Sequence, residues 1–281
     1  MTARRLEFML VALFCVGLLD QAYAQYSDRD SSDHPYHVNT WVTGAILGVG
    51  SFTDYLGIPK LQGKADLSFW EIQALNKGDI HGVDAWSLKQ DPSKRGAFLN
   101  DSDYALMSVL ALPASLLFDR RIRRDWFDMF LMYLETMVVT TNIYEWSFLG
   151  PNFQDRMRPV AYYDQLPYNE RTPSDNRNSF YSGHTASAAA TTFFMVKVFS
   201  DYHPEIGNTK YLLYGAALIP PLVVGYFRMK ALMHFPSDVM VGLGVGALCG
   251  ILIPEFHRRK AGNVSWELCA SARSTGIAIK W

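Results

Sequence analysis

Three short stretches of this chain hold side chains whose types and spacing suit chemistry on an anion. Arg156 and Arg158 stand two residues apart, just before Pro159. Beside a residue of fixed φ, two such guanidiniums can converge planar, bidentate donors on one anion. The second stretch runs Asn178-Ser-Phe-Tyr-Ser182-Gly183-His184-Thr185, at the head of an apolar run. Ser182 offers a hydroxyl, Gly183 lets a backbone N–H approach a ligand closely, and a helix N-terminus favours an oxyanion. His184 can give or take a proton near neutral pH. The third stretch holds Arg228, His234 and Asp238. Where the chain turns into a helix, a carboxylate four residues after an imidazole can hold one ring nitrogen and leave the other free to attack. Solvated arginines and a plain Ser-Gly turn would account for any one stretch. Together they describe phosphoryl transfer without a metal. The arginines, the hydroxyl and the amide cradle the phosphate, one histidine attacks, an aspartate orients it, and the other histidine protonates the leaving oxygen. No carboxylate cluster or His/Cys spacing marks a metal site.

These residues lie on the connections between apolar stretches that must position them. The stretches are Trp41–Ile58, Tyr104–Phe118, Trp126–Ser147, His184–Ser200, Tyr211–Phe227 and Ser237–Ile253. None alternates with period two between turn residues, so all of them read as helices. Asp103 and Ser237-Asp238 are expected N-caps, and Pro254 is expected to end the last helix. The tail beyond it reads as a short β-hairpin with Gly276 near its turn. The expected fold is all-α, a bundle of about five to six helices embedded in a membrane, with that hairpin at its C-terminus.

Composition narrows the function classes. The chain has 281 residues, 49% of them apolar and 19% charged, which excludes a disordered polymer. Lys and Arg number 26 against 27 Asp and Glu, so no basic field speaks for nucleic acid. Three cysteines exclude a disulfide scaffold, and Cys249, within an apolar run, reads as an inert buried thiol. Residues 1–24 read as a signal peptide: Arg4 and Arg5 precede the apolar run Phe8–Leu19, and Ala22-Tyr23-Ala24 offers small residues for cleavage. Residues 25–40 read as a flexible lead-in, 41–256 as one helical domain, and 257–281 as a basic junction and tail. Basic clusters at Arg120–Arg124 and His257–Lys260 both fall on the cytoplasmic side in one topology. The first apolar stretch breaks its parity if the leader is cleaved outside, unless that stretch lies in the interface or part of Pro59–Asp103 returns across the membrane. A soluble periplasmic helical domain is the plainer alternative.

The three ordered stretches resemble the motifs of the type 2 phosphatidic acid phosphatase superfamily, which includes lipid phosphate phosphatases, bacterial acid phosphatases and vanadium haloperoxidases. The family pattern is Lys-x6-Arg-Pro, Pro-Ser-Gly-His and Ser-Arg-x5-His-x3-Asp. Arg158-Pro159 matches the end of the first motif, Ser182-Gly183-His184 the second, and Arg228, His234 and Asp238 the third. The likeness runs from about Tyr104 to Pro254. Pro151, Tyr181 and Phe227 stand where the pattern has Lys, Pro and Ser. The resemblance implies that His234 is a nucleophile forming a phosphohistidine, Asp238 its orienting group and His184 the general acid. It implies that Arg158, Arg228, Ser182 and Gly183 bind phosphoryl oxygens, and Arg156 is the expected stand-in for the absent lysine. It further implies a phosphorylated lipid substrate of the lipid A phosphate, undecaprenyl diphosphate or phosphatidylglycerol phosphate class. No cofactor, nucleic acid or obligate protein partner is implied. The expected place is a bacterial inner membrane with the site facing the periplasm. A soluble nonspecific acid phosphatase, a vanadate-dependent oxidase and a non-catalytic phospholipid binder are the competing readings.

Overall fold

The computed structural model describes residues 34–259 and the backbone of 265–271 and 274–280; the leader expected at 1–24 lies outside these residues. Seven longer helices form the body: α1 (Thr40–Gln62), α2 (Arg95–Ala111), α3 (Trp126–Trp146), α4 (Gly183–Tyr202), α5 (Lys210–Ala217), α6 (Ile219–Lys230) and α7 (Pro236–His257). Helices α5 and α6 continue one another across Leu218, where Pro220 and Pro221 occupy the first turn of α6. Among the described residues six rods result, each reversing the direction of the one before, and they form an all-α bundle.

Helix α4 is the axis of this bundle. Its central residues Ala186, Ala188, Ala189, Ala190, Phe194 and Val198 are buried. Their small side chains let α7 approach its backbone, and α7 answers with Gly242, Gly246 and Gly250, spaced four apart. A Cβ on these glycines would lie 2.4 Å from the Ser182 carbonyl, 2.0 Å from that of Ala186 and 2.4 Å from that of Ala190. Only a residue without a side chain permits that contact. Towards the far end of α4, Phe194, Val198 and Tyr202 pack with Met129, Leu131 and Met132 of α3.

Several expectations are corrected. Helix α2 starts at Arg95, so Asp103 lies within a helix and caps nothing, while Leu112–Phe118 is a 3-10 helix opened by Pro113. Helix α7 runs past Pro254 to His257, because a proline costs one backbone donor and does not by itself end a helix. Ser237 and Asp238 sit inside its first turn, and Asp238 reaches back to the Phe235 N–H at 2.7 Å. The tail hairpin pairs β1 (Ser265–Ser271) with β2 (Ser274–Lys280). Gly276 pairs with Cys269 in the ladder, two positions from the pair Ser271–Ser274.

The described end of the lead-in, 34–39, is held in place. The His37 N–H donates to the His257 carbonyl at 2.8 Å, the Arg259 N–H to the Pro35 carbonyl at 2.9 Å, and the buried Tyr36 hydroxyl to Asp201 at 2.6 Å. His34 also meets the Asp125 carboxylate at 2.5 Å. Both ends of the helical body therefore share one face, which also carries Arg120–Arg124. The three motifs gather at the opposite end.

Candidate active site

A cavity of about 420 Å³ opens where α4 begins, lined by Arg158, Gly183, His184, Ser187, Arg228 and His234 together with Leu106, Thr140, Thr141, Tyr144, Asp175 and Ala186. The fold delivers each group differently. Gly183 and His184 form the first turn of α4, so N–H groups without helical partners border the cavity. Arg228 comes from the last turn of α6, His234 from the short loop into α7, and Arg158 from the connection after α3. That connection pairs with the second-motif loop: the Arg158 N–H donates to the Asn176 carbonyl at 2.8 Å, and the Ser179 N–H to the Arg156 carbonyl at 3.0 Å.

His234 is buried, and its Nδ1 lies 2.6 Å from the Ser179 carbonyl. A carbonyl only accepts, so Nδ1 carries the proton and Nε2 keeps its lone pair. Burial pushes this imidazole well below its ordinary pKa, and the Arg228 and Arg158 guanidiniums push it further in the same direction. It is thus held neutral, as a nucleophile must be.

Asp238 does not touch the ring directly. Its nearer oxygen is 3.9 Å from Nδ1, too far for a hydrogen bond. The carboxylate instead accepts from the Ser179 hydroxyl at 2.6 Å and the Phe235 N–H at 2.7 Å. Orientation passes through Ser179, whose hydroxyl meets Asp238 while its carbonyl meets His234. The direct contact expected from four-residue spacing is replaced by one with an intermediary, because Asp238 lies in the first turn of α7 and folds back on that turn.

The second histidine, His184, presents Nε2 to Asp103 at 3.0 Å, and Asp103 also lies 3.6 Å from Arg228. A carboxylate partner places a proton on Nε2, the group a general acid requires. Arg158 donates Nη1 to Asp175 and Nη2 to the Asn178 carbonyl at 3.5 Å. The Nε groups of Arg158 and Arg228 are buried and meet no acceptor among the described residues.

Besides Asp238, two expected residues stand apart from the cavity. Ser182 is fully buried as the N-cap of α4, its hydroxyl accepting from the Thr185 N–H at 3.4 Å and meeting the Thr185 hydroxyl at 2.9 Å. Arg156 points to Asp84, Ser237 and Asp238 and does not line the cavity, so the expected substitution for the lysine is not what the fold gives it. At Pro151 itself a different lysine arrives: Lys64 donates to the Pro151 carbonyl at 2.5 Å and to Asp155 at 2.7 Å, fixing the loop without entering the cavity. Sequence reasoning missed Tyr144, Asp175, Ser179 and Asp84. Ser179 lay inside the second motif and Asp175 close before it, so proximity was a signal; nothing local marked Tyr144 or Asp84.

The PAP2 superfamily model matches residues 129–261, the span that carries Arg158, His184, His234 and Asp238. Over that span, just under half of the chain, the sequence is similar to the PAP2 superfamily. Among solved structures it is similar to a transmembrane PAP2-type phosphatidylglycerolphosphate phosphatase from Bacillus subtilis, at 18% identity over 76% of this chain and 94% of that one, with a TM-score of 0.41. That likeness is too distant to carry anything about this chain's substrate. No curated protein matches the sequence.

Proposed function

We propose that the protein is a membrane-embedded phosphatase that removes phosphate from a lipid head group through a phosphohistidine at His234. One observation carries this reading: two arginines with unmatched buried Nε donors, a helix N-terminus, a neutral imidazole and a second histidine border one cavity. A phosphoryl group held by Arg158, Arg228 and the Gly183 amide faces His234 Nε2. As the N–P bond forms, the ester P–O bond breaks and the leaving oxygen takes the His184 proton. Water then attacks the phosphohistidine with His184 as the base, releasing phosphate and restoring both rings. The guanidiniums supply the positive charge that a divalent ion supplies in other phosphoryl-transfer sites.

The outer surface supports a lipid setting. Val49 and Phe52 of α1, Met107 of α2, Leu212 of α5, and Met240 and Leu248 of α7 are large, apolar and exposed. Large exposed apolar faces mark contact with lipid or protein. The segments Pro204–Lys230 and Pro236–His257 are long and apolar enough to cross a membrane. Helix α4, with 20 residues, measures about 30 Å, near the thickness of a hydrocarbon core. With the basic face in the cytoplasm, the site faces the periplasm. The substrate is a phosphorylated lipid of the lipid A phosphate, undecaprenyl diphosphate or phosphatidylglycerol phosphate class.

The test is phosphate release by purified protein in detergent and EDTA, from a panel of lipid phosphates and soluble phosphate esters. Release from lipids with little from soluble esters is the expected result. Equal release from both favours a nonspecific phosphatase, and none at all sinks the reading.

A further inference from the structure

Residues 63–94 lie outside the family match, yet one stretch of them braces the nucleophile loop at two points. In the 3-10 helix Gly82–Lys89, the Ser87 hydroxyl donates to the His234 carbonyl at 3.3 Å. Asp84 accepts from the Ser237 N–H at 2.9 Å and the Ser237 hydroxyl at 2.7 Å. The same carboxylate accepts from Arg156 Nη2 at 2.6 Å. Arg156 Nη1 in turn donates to Ser237 Oγ at 2.9 Å and to Asp238. Its guanidinium lies 4.7 Å from the centre of the Phe235 ring, which fixes its plane.

We infer that Arg156 and Asp84 are positioning residues, a clamp that holds Asp238, and through it Ser179 and His234, in the attacking geometry. The inference rests on the phosphatase reading above. Asp238 has no exposed surface, and a buried carboxylate without a cation is costly. Arg156 is its ion-pair partner, and the remaining charged or titratable groups around it are Asp84 and His234. Asp84 holds the other arm of the guanidinium, so the fork cannot swing away from Asp238. The line of contacts then runs from Asp238 through the Ser179 hydroxyl to the Ser179 carbonyl and His234 Nδ1. None of these steps reaches the phosphate, which Arg158 and Arg228 border. The clamp therefore bears on the rate of attack and leaves binding alone.

Three measurements on purified protein test this: kcat, KM, and competitive inhibition by inorganic phosphate. Arg156→Ala is expected to lower kcat about 100-fold, the order of loss that follows misplacement of a reacting group, with KM and phosphate inhibition within threefold of wild type. Arg156→Lys, which keeps the charge and loses the fork, should recover part of the rate. Asp84→Asn should lower kcat less than Arg156→Ala, and the double variant should be no slower than Arg156→Ala alone, since both changes break one clamp. Melting temperatures of the variants separate loss of fold from loss of rate; a rate lost only in step with the folded fraction overturns the inference. So does phosphate inhibition that weakens in step with kcat/KM, because Arg156 would then touch the anion. Multiplying losses in the double variant, or an unchanged kcat, overturns it as well. Wild-type protein that releases no phosphate sinks the phosphatase reading, and the clamp with it; active wild type with an indifferent Arg156→Ala sinks the clamp alone.

Discussion

His234 can attack only while its imidazole is neutral, and its surroundings enforce that state. Burial and two nearby guanidiniums oppose a third positive charge, so the ring resists protonation as pH falls through the ordinary histidine range. Nitrogen-15 histidine spectra at pH 6 should show one neutral ring protonated at Nδ1, missing in His234→Gln; an imidazolium there would contradict the assignment. His184 has the opposite task, since it must carry a proton for the leaving oxygen. His184→Ala should lower the rate with an alkyl phosphate by about 10²–10⁴-fold, the usual worth of a general acid. With an activated aryl phosphate, whose leaving group hardly needs a proton, the loss should be far smaller. Equal losses with both substrates would remove His184 from that role.

The close seam between α4 and α7 is what brings Gly183-His184 and His234-Asp238 to one end of the bundle. Its glycines give a sharp contrast. A Cβ at Gly246 would lie 2.0 Å from the Ala186 carbonyl, a backbone atom of the partner helix that cannot swing aside. A Cβ at Gly244, two residues away, meets nothing within 4 Å. Gly246→Ala should therefore cost about 1–3 kcal/mol from overpacking and depress activity by spreading the two motifs. Gly244→Ala should be neutral or slightly stabilising, because alanine is the better helix former. Thermal denaturation of the two variants in detergent checks this, and equal melting temperatures would mean that the helices part without cost.

Six rods return the chain to the face on which it entered, as the bridge between Tyr36 and Arg258 makes plain. This arrangement does not restore the parity asked of the first apolar stretch: α1 is a full rod, and the next long helix, α2, overlaps the second apolar stretch and adds no crossing. It also sets two expectations against each other. A leader cleaved outside the membrane starts the chain outside, whereas a cytoplasmic basic face places 34–39 inside. Residues 25–33, with Asp28, Arg29, Asp30 and Asp33, are too polar to recross. On the proposed orientation, a cysteine placed at Ser237 should be labelled from the periplasm by an impermeant reagent, and one placed at His37 only after the membrane is opened. Labelling of both positions in intact cells would mean that the basic face is not cytoplasmic or that the bundle does not span.

The sequence by itself determined the helical class, the motif positions and the ends of the helical runs to within about four residues, except for the second run, whose helix starts at Arg95 and not at Tyr104, because apolar runs and short motifs are local signals. It located Arg158, Gly183, His184, Arg228 and His234, five residues that the fold brings to one cavity. Tertiary structure decided how the remaining polar groups are used. Arg156 and Arg158 are indistinguishable as neighbours before a proline, yet one borders the cavity and the other is drawn off by Asp84 and Asp238. Asp103 reads locally as a cap; only the earlier start of α2 frees it to meet His184. The spacing of His234 and Asp238 suggests a direct contact, and only the turn into α7 interposes Ser179. In each case the deciding partner lies more than fifty residues away in the chain, where spacing holds no information and packing does.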